Sequence, residues 1–347
     1  MLIMTKQEAL QAIKENLNAI GAAALETKRK LHPDRVTTFV IDRNINYTNI
    51  CHIGCKFCAF RVVEGDKEGY ILPYEVIDRK IEELIAIGGT QILFQGGAHP
   101  KLAIDYYENL IDHIHTTFPA IDIHGFSAVE IAYISKISAI SSKEVLARLQ
   151  DRGMRSMPGA GAEILSDRVR SYVSPNKVTV VDWLRIHGEA HELGMTTSAT
   201  MVFGLGESDE EIIDHLESLR VQQDKTGGFT AFILWSYQPD RTPLQKLRPD
   251  LTKQSPNRYL RLLALARLYL NNFQNIQSSW VTQGAYIGQL ALRFGANDLG
   301  STMMEENVVA ATGCSHSMAT NEMVALIKGV GEIPVQRNTR YERLRSF

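Results

Sequence analysis

Three of the four cysteines, Cys51, Cys55 and Cys58, fall in one short segment, NYTNICHIGCKFCAF at residues 46–60, with the spacing C-x3-C-x2-C. A disulfide framework spreads its cysteines to staple distant loops, whereas thiolates crowded on one loop suit a soft metal centre, zinc or iron–sulfur. A structural zinc site takes four ligands, usually as two separated pairs. No second CxxC exists here, and His52 beside Cys51 is poorly placed to reach the same ion. An electron-carrying cluster takes a fourth cysteine, for which Cys314 is the one candidate. The third arrangement places three thiolates on three irons and leaves a fourth iron open to the amino and carboxylate groups of a small molecule. Phe57, directly before the last cysteine, suits the shielding of such a centre from water. Cys314 reads as an ordinary buried or half-buried thiol.

Such a loop needs a rigid frame. Short β-rich runs at 38–43, 91–95, 121–126, 155–158, 197–203 and 230–235 alternate with helical patterns, and weaker runs follow at 278–283 and 292–296. Pro73 opens one helix, where its missing N–H costs little, and Gly88–Gly89 stops it. Ser141 with Glu144, and Ser208 with Glu211, have the spacing of capping boxes. Repeated strand–helix units imply a parallel sheet covered by helices. With about eight units the expected fold class is α/β, a (β/α)8-type TIM barrel. A doubly wound open sheet is the alternative, but no GxGxxG follows the first strand. Residues 1–36 read as an N-terminal helical extension, and 37–347 as the barrel with its C-terminal elements. The cysteine segment follows the first strand, and barrels keep their chemistry at the C-terminal ends of strands.

Of the 347 residues 44% are hydrophobic and 22% charged, the composition of a globular enzyme. A net charge of −2 without long runs of one sign argues against a nucleic-acid partner or a polybasic membrane patch. The N-terminal segment lacks an uninterrupted apolar stretch, and no run approaches the ~20 apolar residues of a membrane span. A cytoplasmic protein is expected.

C-x3-C-x2-C with an aromatic before the third cysteine resembles the radical S-adenosylmethionine (SAM) superfamily. The strings DRNINYTNIC, FQGGAHP, GAGAEIL, GGFTAFILWSYQP, SWVTQG and LALRFGANDLGSTMMEENV narrow the resemblance. They are similar to the subfamily of menaquinone enzymes of the futalosine route and deazaflavin (F0) synthases, and most of all to cyclic dehypoxanthine futalosine synthases. The resemblance runs from about Leu31 to the C-terminus. It implies a [4Fe-4S] cluster on Cys51, Cys55 and Cys58, with S-adenosyl-L-methionine as second cofactor. In the implied reaction a 5′-deoxyadenosyl radical takes the ribose C4′ hydrogen of dehypoxanthine futalosine. The carbon radical closes on the benzoate ring, and loss of an electron and a proton restores aromaticity. Aminofutalosine synthase and an F0 synthase subunit stay open as alternatives, and outside radical chemistry so does an iron–sulfur electron carrier.

The resemblance also implies positions for the cofactor. Paired glycines let a backbone approach a ligand closely, so Gln95, Gly96 and Gly97 match the motif that meets the methionyl amino group, with Ala98 in place of its usual acidic residue; a tight strand-to-helix turn is the plainer reading. Glu163 matches a ribose-binding position, or else favours a helix dipole. Met201 and Gly204, with Glu207 beyond, resemble the adenine-contacting strand, and Ser127 with Glu130 are ligands or solvated loop residues. Tyr47 and Asn49 are placed to orient the loop. For substrate, Arg61 and Arg293 are candidate carboxylate partners, since guanidinium binds carboxylates bidentately. Trp235 is a candidate apolar wall, and Asn297 and Asp298 are candidate polar contacts. No base is assigned, although His99 and Tyr237 are available. A low-potential flavodoxin or ferredoxin is the implied reductant.

Overall fold

Residues 36–45 form one extended run broken only at Ile41, and both halves serve the same sheet. In the computed structural model, which describes residues 4–314 and 316–347, they are β1 (Val36–Val40) and β2 (Asp42–Ile45). Then come β3 (Gln91–Phe94), β4 (Asp122–Gly125), β5 (Ser156–Met157), β6 (Thr196–Phe203) and β7 (Phe229–Ser236). The last strands are β8 (Asn275–Gln277), β9 (Asp298–Ser301), β10 (Ile333–Arg337) and β11 (Arg343–Ser346). Each strand from β2 to β9 pairs in parallel with its successor. β9 then pairs in parallel with β1, through Thr38↔Asp298 and Val40↔Ser301. Because β1 runs straight into β2, the sheet returns to its start. The result is the (β/α)8-type barrel that the alternation of elements implies. β10 adds in parallel to the other edge of β1, and β11 turns back antiparallel on it.

Of the two expected capping boxes, one forms in full and the other only in its first half. Ser208 and Glu211 form a reciprocal capping box on Asp209–Thr226, and Ser141 accepts from the Glu144 N–H at 3.1 Å. Pro73 precedes Tyr74–Ala86, and Gly88 ends that segment at φ +81°. The two weak strand expectations are corrected. Residues 278–283 contain a helical turn, Trp280–Gln283, and 292–296 a 3-10 turn, Leu292–Phe294; β8 and β9 lie just outside both. The bulky residues that suggested strands are instead helix faces packed on the core: Trp280 and Leu292 are buried. Gly284 and Gly295, at φ +84° and +106°, break the chain where a continuing strand would need negative φ.

Helices Lys6–Ala12 and Leu17–Leu31 place Ala9, Ile13, Ile20 and Ala24 in the same apolar core as the barrel. Gly21 allows this approach, since a Cβ there would stand 2.5 Å from the Phe294 ring. No helix among the described residues is long and apolar enough to cross a membrane.

Candidate active site

The loop after β2 is held on several sides before its cysteines are considered. Asn49 donates through Nδ2 to the Glu68 carbonyl and accepts from the Tyr70 N–H, both at 2.9 Å. The Cys51 N–H donates to Val62 O at 3.0 Å, His52 N–H to Ala98 O at 2.9 Å and Lys56 N–H to Val173 O at 2.8 Å. Gly97 N–H donates to Thr48 O at 2.9 Å, and a Cβ on Gly97 would lie 2.2 Å from the Ile50 carbonyl oxygen. Only glycine admits the loop this close to the end of β3. A Cβ on Gly96 would similarly strike the Tyr47 ring at 2.7 Å.

Tyr47 is fully buried and donates to Glu130 at 2.8 Å. Glu130 also accepts from Gly96 N–H at 2.9 Å and from the N–H and hydroxyl of Ser127, both at 2.7 Å. Burial raises its carboxyl above the usual range, and these donors oppose the shift. Ser127 is the N-cap of Ala128–Ser138, so its hydroxyl is already committed within the capping box.

These elements enclose a cavity of about 440 Å³ inside the barrel. Cys51, Cys55, Cys58, Arg61, Gln95, Gly96, Gly97, Ser127, Glu163 and Trp235 all line it. Burial pushes the Cys55 thiol up to about 12 and raises Cys58, with the Lys177 ammonium opposing both. Lys177 bonds Glu163 and lies over the Phe57 ring at 5.1 Å. Arg170 stands 3.7 Å from Glu163, which adopts φ +44°. The Glu163 Oε2 atom is buried without a hydrogen-bond partner.

Five expected site residues lie elsewhere. Along β6, Ser198, Thr200 and Val202 face the cavity, so the period-2 alternation turns Met201 outward into the core. Gly204 lies past that strand and donates to Glu207 at 2.7 Å. Arg293 is exposed on the 3-10 turn, away from the cavity. Asn297 accepts from Arg267 at 2.5 Å and from Ile276 N–H at 2.9 Å. Asp298 pairs bidentately with Arg337 at 2.6 and 3.1 Å and accepts from Thr38 at 2.5 Å. Both polar residues bind the barrel strands together. Of the two spare bases, His99 accepts from Lys101 N–H outside the cavity, and Tyr237 lines it with its hydroxyl shared with Thr242 at 2.7 Å.

The deeper cavity wall holds residues the sequence did not single out: Asp42, Gln91, His124 and, from the C-terminal segment, Arg337 and Tyr341. His124 carried a readable signal, an imidazole inside the strand-like run 121–126. Arg337 and Tyr341 carried none, since nothing local shows that the chain end reaches into the barrel.

The Radical SAM superfamily matches residues 45–219, which span the cysteine loop and β3 to β6. The chain belongs to the radical SAM superfamily. The CofH/MqnC C-terminal region matches residues 226–346, which carry β7 to β11 and the cavity residues from Thr230 to Tyr341. The chain is 48% identical to the cyclic dehypoxanthine futalosine synthase of Halalkalibacterium halodurans, over 96% of this chain and 89% of that one. It is 42% identical to that of Streptomyces coelicolor, over 98% and 86%. It is 37% identical to a 5-amino-6-(D-ribitylamino)uracil–L-tyrosine 4-hydroxyphenyl transferase of Methanopyrus kandleri, over 98% and 93%. Among solved structures, methylornithine synthase has the same fold, with a TM-score of 0.74 at 15% identity over 96% of this chain and 94% of that one.

As a radical SAM enzyme the protein works with a [4Fe-4S] cluster and S-adenosyl-L-methionine, and the cavity fits both. Among the described residues no three His, Cys, Asp or Glu side chains stand close enough to share one metal ion. Three thiols on one wall suit a cluster in which each iron takes one thiolate. Cys314 lies apart, its thiol 3.7 Å from the Val281 carbonyl in a separate hollow with Asp240 and Lys253. The unpartnered Glu163 Oε2 leaves an acceptor for a ligand hydroxyl.

Proposed function

We propose that this radical SAM enzyme is a cyclic dehypoxanthine futalosine synthase of menaquinone biosynthesis, closing a ring between the ribose and the benzoate of dehypoxanthine futalosine. The observation that carries the reading is a 48% likeness to such a synthase that runs through both halves of the cavity wall. In this reading Cys51, Cys55 and Cys58 hold the cluster, which with bound S-adenosyl-L-methionine supplies the 5′-deoxyadenosyl radical that takes the ribose C4′ hydrogen. Gln95, Gly96 and Gly97 present backbone to the methionyl end. Glu163, fixed by Lys177 and Arg170, accepts from ribose hydroxyls through its free Oε2.

Arg61 is half-buried in the cavity beside the cysteine loop and donates to Cys51 O at 3.3 Å, a weak bond that leaves its guanidinium for the substrate carboxylate. Trp235 offers an apolar wall to the aromatic ring. Ile53, Ala98 and Val129 pack with Cys55 into a small apolar cluster that keeps water from the thiols. A low-potential flavodoxin or ferredoxin is the reductant this chemistry requires.

The test is anaerobic reconstitution of the cluster, reduction, and chromatography of 5′-deoxyadenosine with and without dehypoxanthine futalosine. Substrate-dependent 5′-deoxyadenosine, with a product lighter than substrate by two hydrogens, is the expected result. Cleavage that depends on L-tyrosine instead would assign the enzyme to the transferase branch. A fully loaded, reducible cluster with no cleavage would overturn the reading.

A further inference from the structure

The proposed reaction ends with a proton leaving the cyclised ring, so the cavity must hold a group that can take it. The titratable groups lining it are mostly spoken for. Glu130 accepts from four donors, and Glu306 from the backbone N–H groups of Val308, Val309 and Ala310. Asp42 accepts from Ser301 and Gln91, and Glu163 is paired with Lys177. Tyr237 shares its proton with Thr242, and Arg61, Lys177 and Arg337 carry protons rather than accept them.

His124 is different in each respect. It sits on β4, in register with Leu93 of β3 and Ser156 of β5, and Leu93 is in turn in register with Asn44 of β2. Asn44, Leu93 and His124 line the cavity as one layer, one inward step below Gln95. The imidazole Nδ1 is 2.8 Å from the Ser156 hydroxyl, which fixes the ring plane. Nε2 makes no hydrogen bond among the described residues, and the ring is half-buried in the cavity wall. Burial, with the Arg337 charge adding to it, lowers the ring to about 3, so it is neutral in the resting enzyme but a weak base, suited only to a strongly acidic C–H such as that of a ring which has lost an electron. In the tautomer the proposal requires, Nδ1–H donates to the Ser156 hydroxyl and the lone pair falls on Nε2.

Resting on the reading above, we infer that His124 is the catalytic base of the ring closure, with Ser156 as its positioning residue. In the cyclised substrate radical, the C–H bond at the newly substituted ring carbon breaks and its proton passes to His124 Nε2. Its bonding electrons stay in the ring and restore aromaticity, while one electron leaves to a one-electron acceptor of the iron–sulfur class. The imidazolium so formed sits in a site that disfavours the charge, which drives release of the proton once product departs.

The experiment compares the wild type with His124→Asn, His124→Ala and Ser156→Ala, each reconstituted with its cluster and given dehypoxanthine futalosine. Cluster content, read by iron analysis and absorbance, is expected to be unchanged. His124→Asn is expected to lower cyclised product about 100-fold or more, the usual range for a lost general base. 5′-Deoxyadenosine should still form at the wild-type rate, so the two products uncouple. Added imidazole should restore product to His124→Ala. Ser156→Ala should lower the ratio of product to 5′-deoxyadenosine less severely, and it decides the matter if the histidine variants do not fold. A wild-type ratio in His124→Asn, or in Ser156→Ala where it stands in, overturns the proposal. No product from the wild type itself overturns the substrate reading, and this inference with it.

Discussion

Cys55 shows what a single side chain can and cannot declare. Its spacing from Cys51 and Cys58 is local and legible, whereas the wall it shares with Lys177 and Glu163 is assembled from three loops. Substituting any one of the three cysteines by alanine is expected to abolish the absorbance of the reconstituted cluster. Cys314→Ala should leave cluster and turnover intact, and loss of the cluster in that variant would reinstate the electron-carrier reading. Asp42 gives a second test. Burial raises its carboxyl from 3.8 to about 6, against the opposing effects of the Ser301 hydrogen bond and the Arg337 charge. A folded-state value above the unfolded one favours the fold below pH ~4 and loses that advantage as pH rises through about 6. Asp42→Asn should therefore raise unfolding free energy at pH 7 by about 3 kcal/mol, with the gain vanishing near pH 4. Urea titrations at the two pH values check the sign.

At the scale of elements, caps and alternation were readable because they are set by neighbours within a few residues. Ser208 with Glu211 formed the box their spacing implies, and β6 forms at the β-rich run 197–203. What failed was phase. The resemblance carried Met201 over by its place on the strand, while the pleat turned Ser198, Thr200 and Val202 to the cavity. Gly96 and Gly97 invite a sharper test of how elements meet. Gly97→Ala sets a methyl against the Ile50 carbonyl, backbone that cannot swing aside as a side chain would. The variant is expected to keep its far-ultraviolet dichroism while losing most of its capacity to hold iron, because the strain falls on the cysteine loop alone. Gly88→Ala is the control, since a Cβ there meets nothing within 4 Å and only the positive φ is strained.

The molecule as a whole is closed by its last residues. β10 brings Arg337 and, beyond it, Tyr341 under the barrel, with Arg337 over the Tyr341 ring at 3.8 Å and paired to Asp298 of β9. Thr339 donates to Asp122 of β4 at 2.9 Å, and the Gln336 side chain to Gly88 O at 2.9 Å. The C-terminal segment thus ties three barrel segments together while flooring the cavity. Removing one partner of a buried pair leaves an uncompensated charge, typically ~3–5 kcal/mol. Asp298→Ala should lose about that much in chemical unfolding and also raise 5′-deoxyadenosine formed without product, as the floor loosens. A destabilised variant that stays fully coupled would separate the floor from the chemistry.

Residues 46–60 by themselves narrowed the chemistry to a thiolate metal centre, because three thiolates on one loop leave few such centres to consider, and the family resemblance chose among them. The alternation of strands and helices determined the barrel, because each periodicity reports its own local geometry. Tertiary structure alone decided which polar residues face the cavity. Asn297 and Asp298 spend their hydrogen bonds on Arg267, Thr38 and Arg337, partners between 30 and 260 residues distant. His124 and Tyr341 line one cavity from widely separated places in the sequence. Contacts between segments so far apart leave no periodic mark in either one, since each is fixed only when the sheet closes.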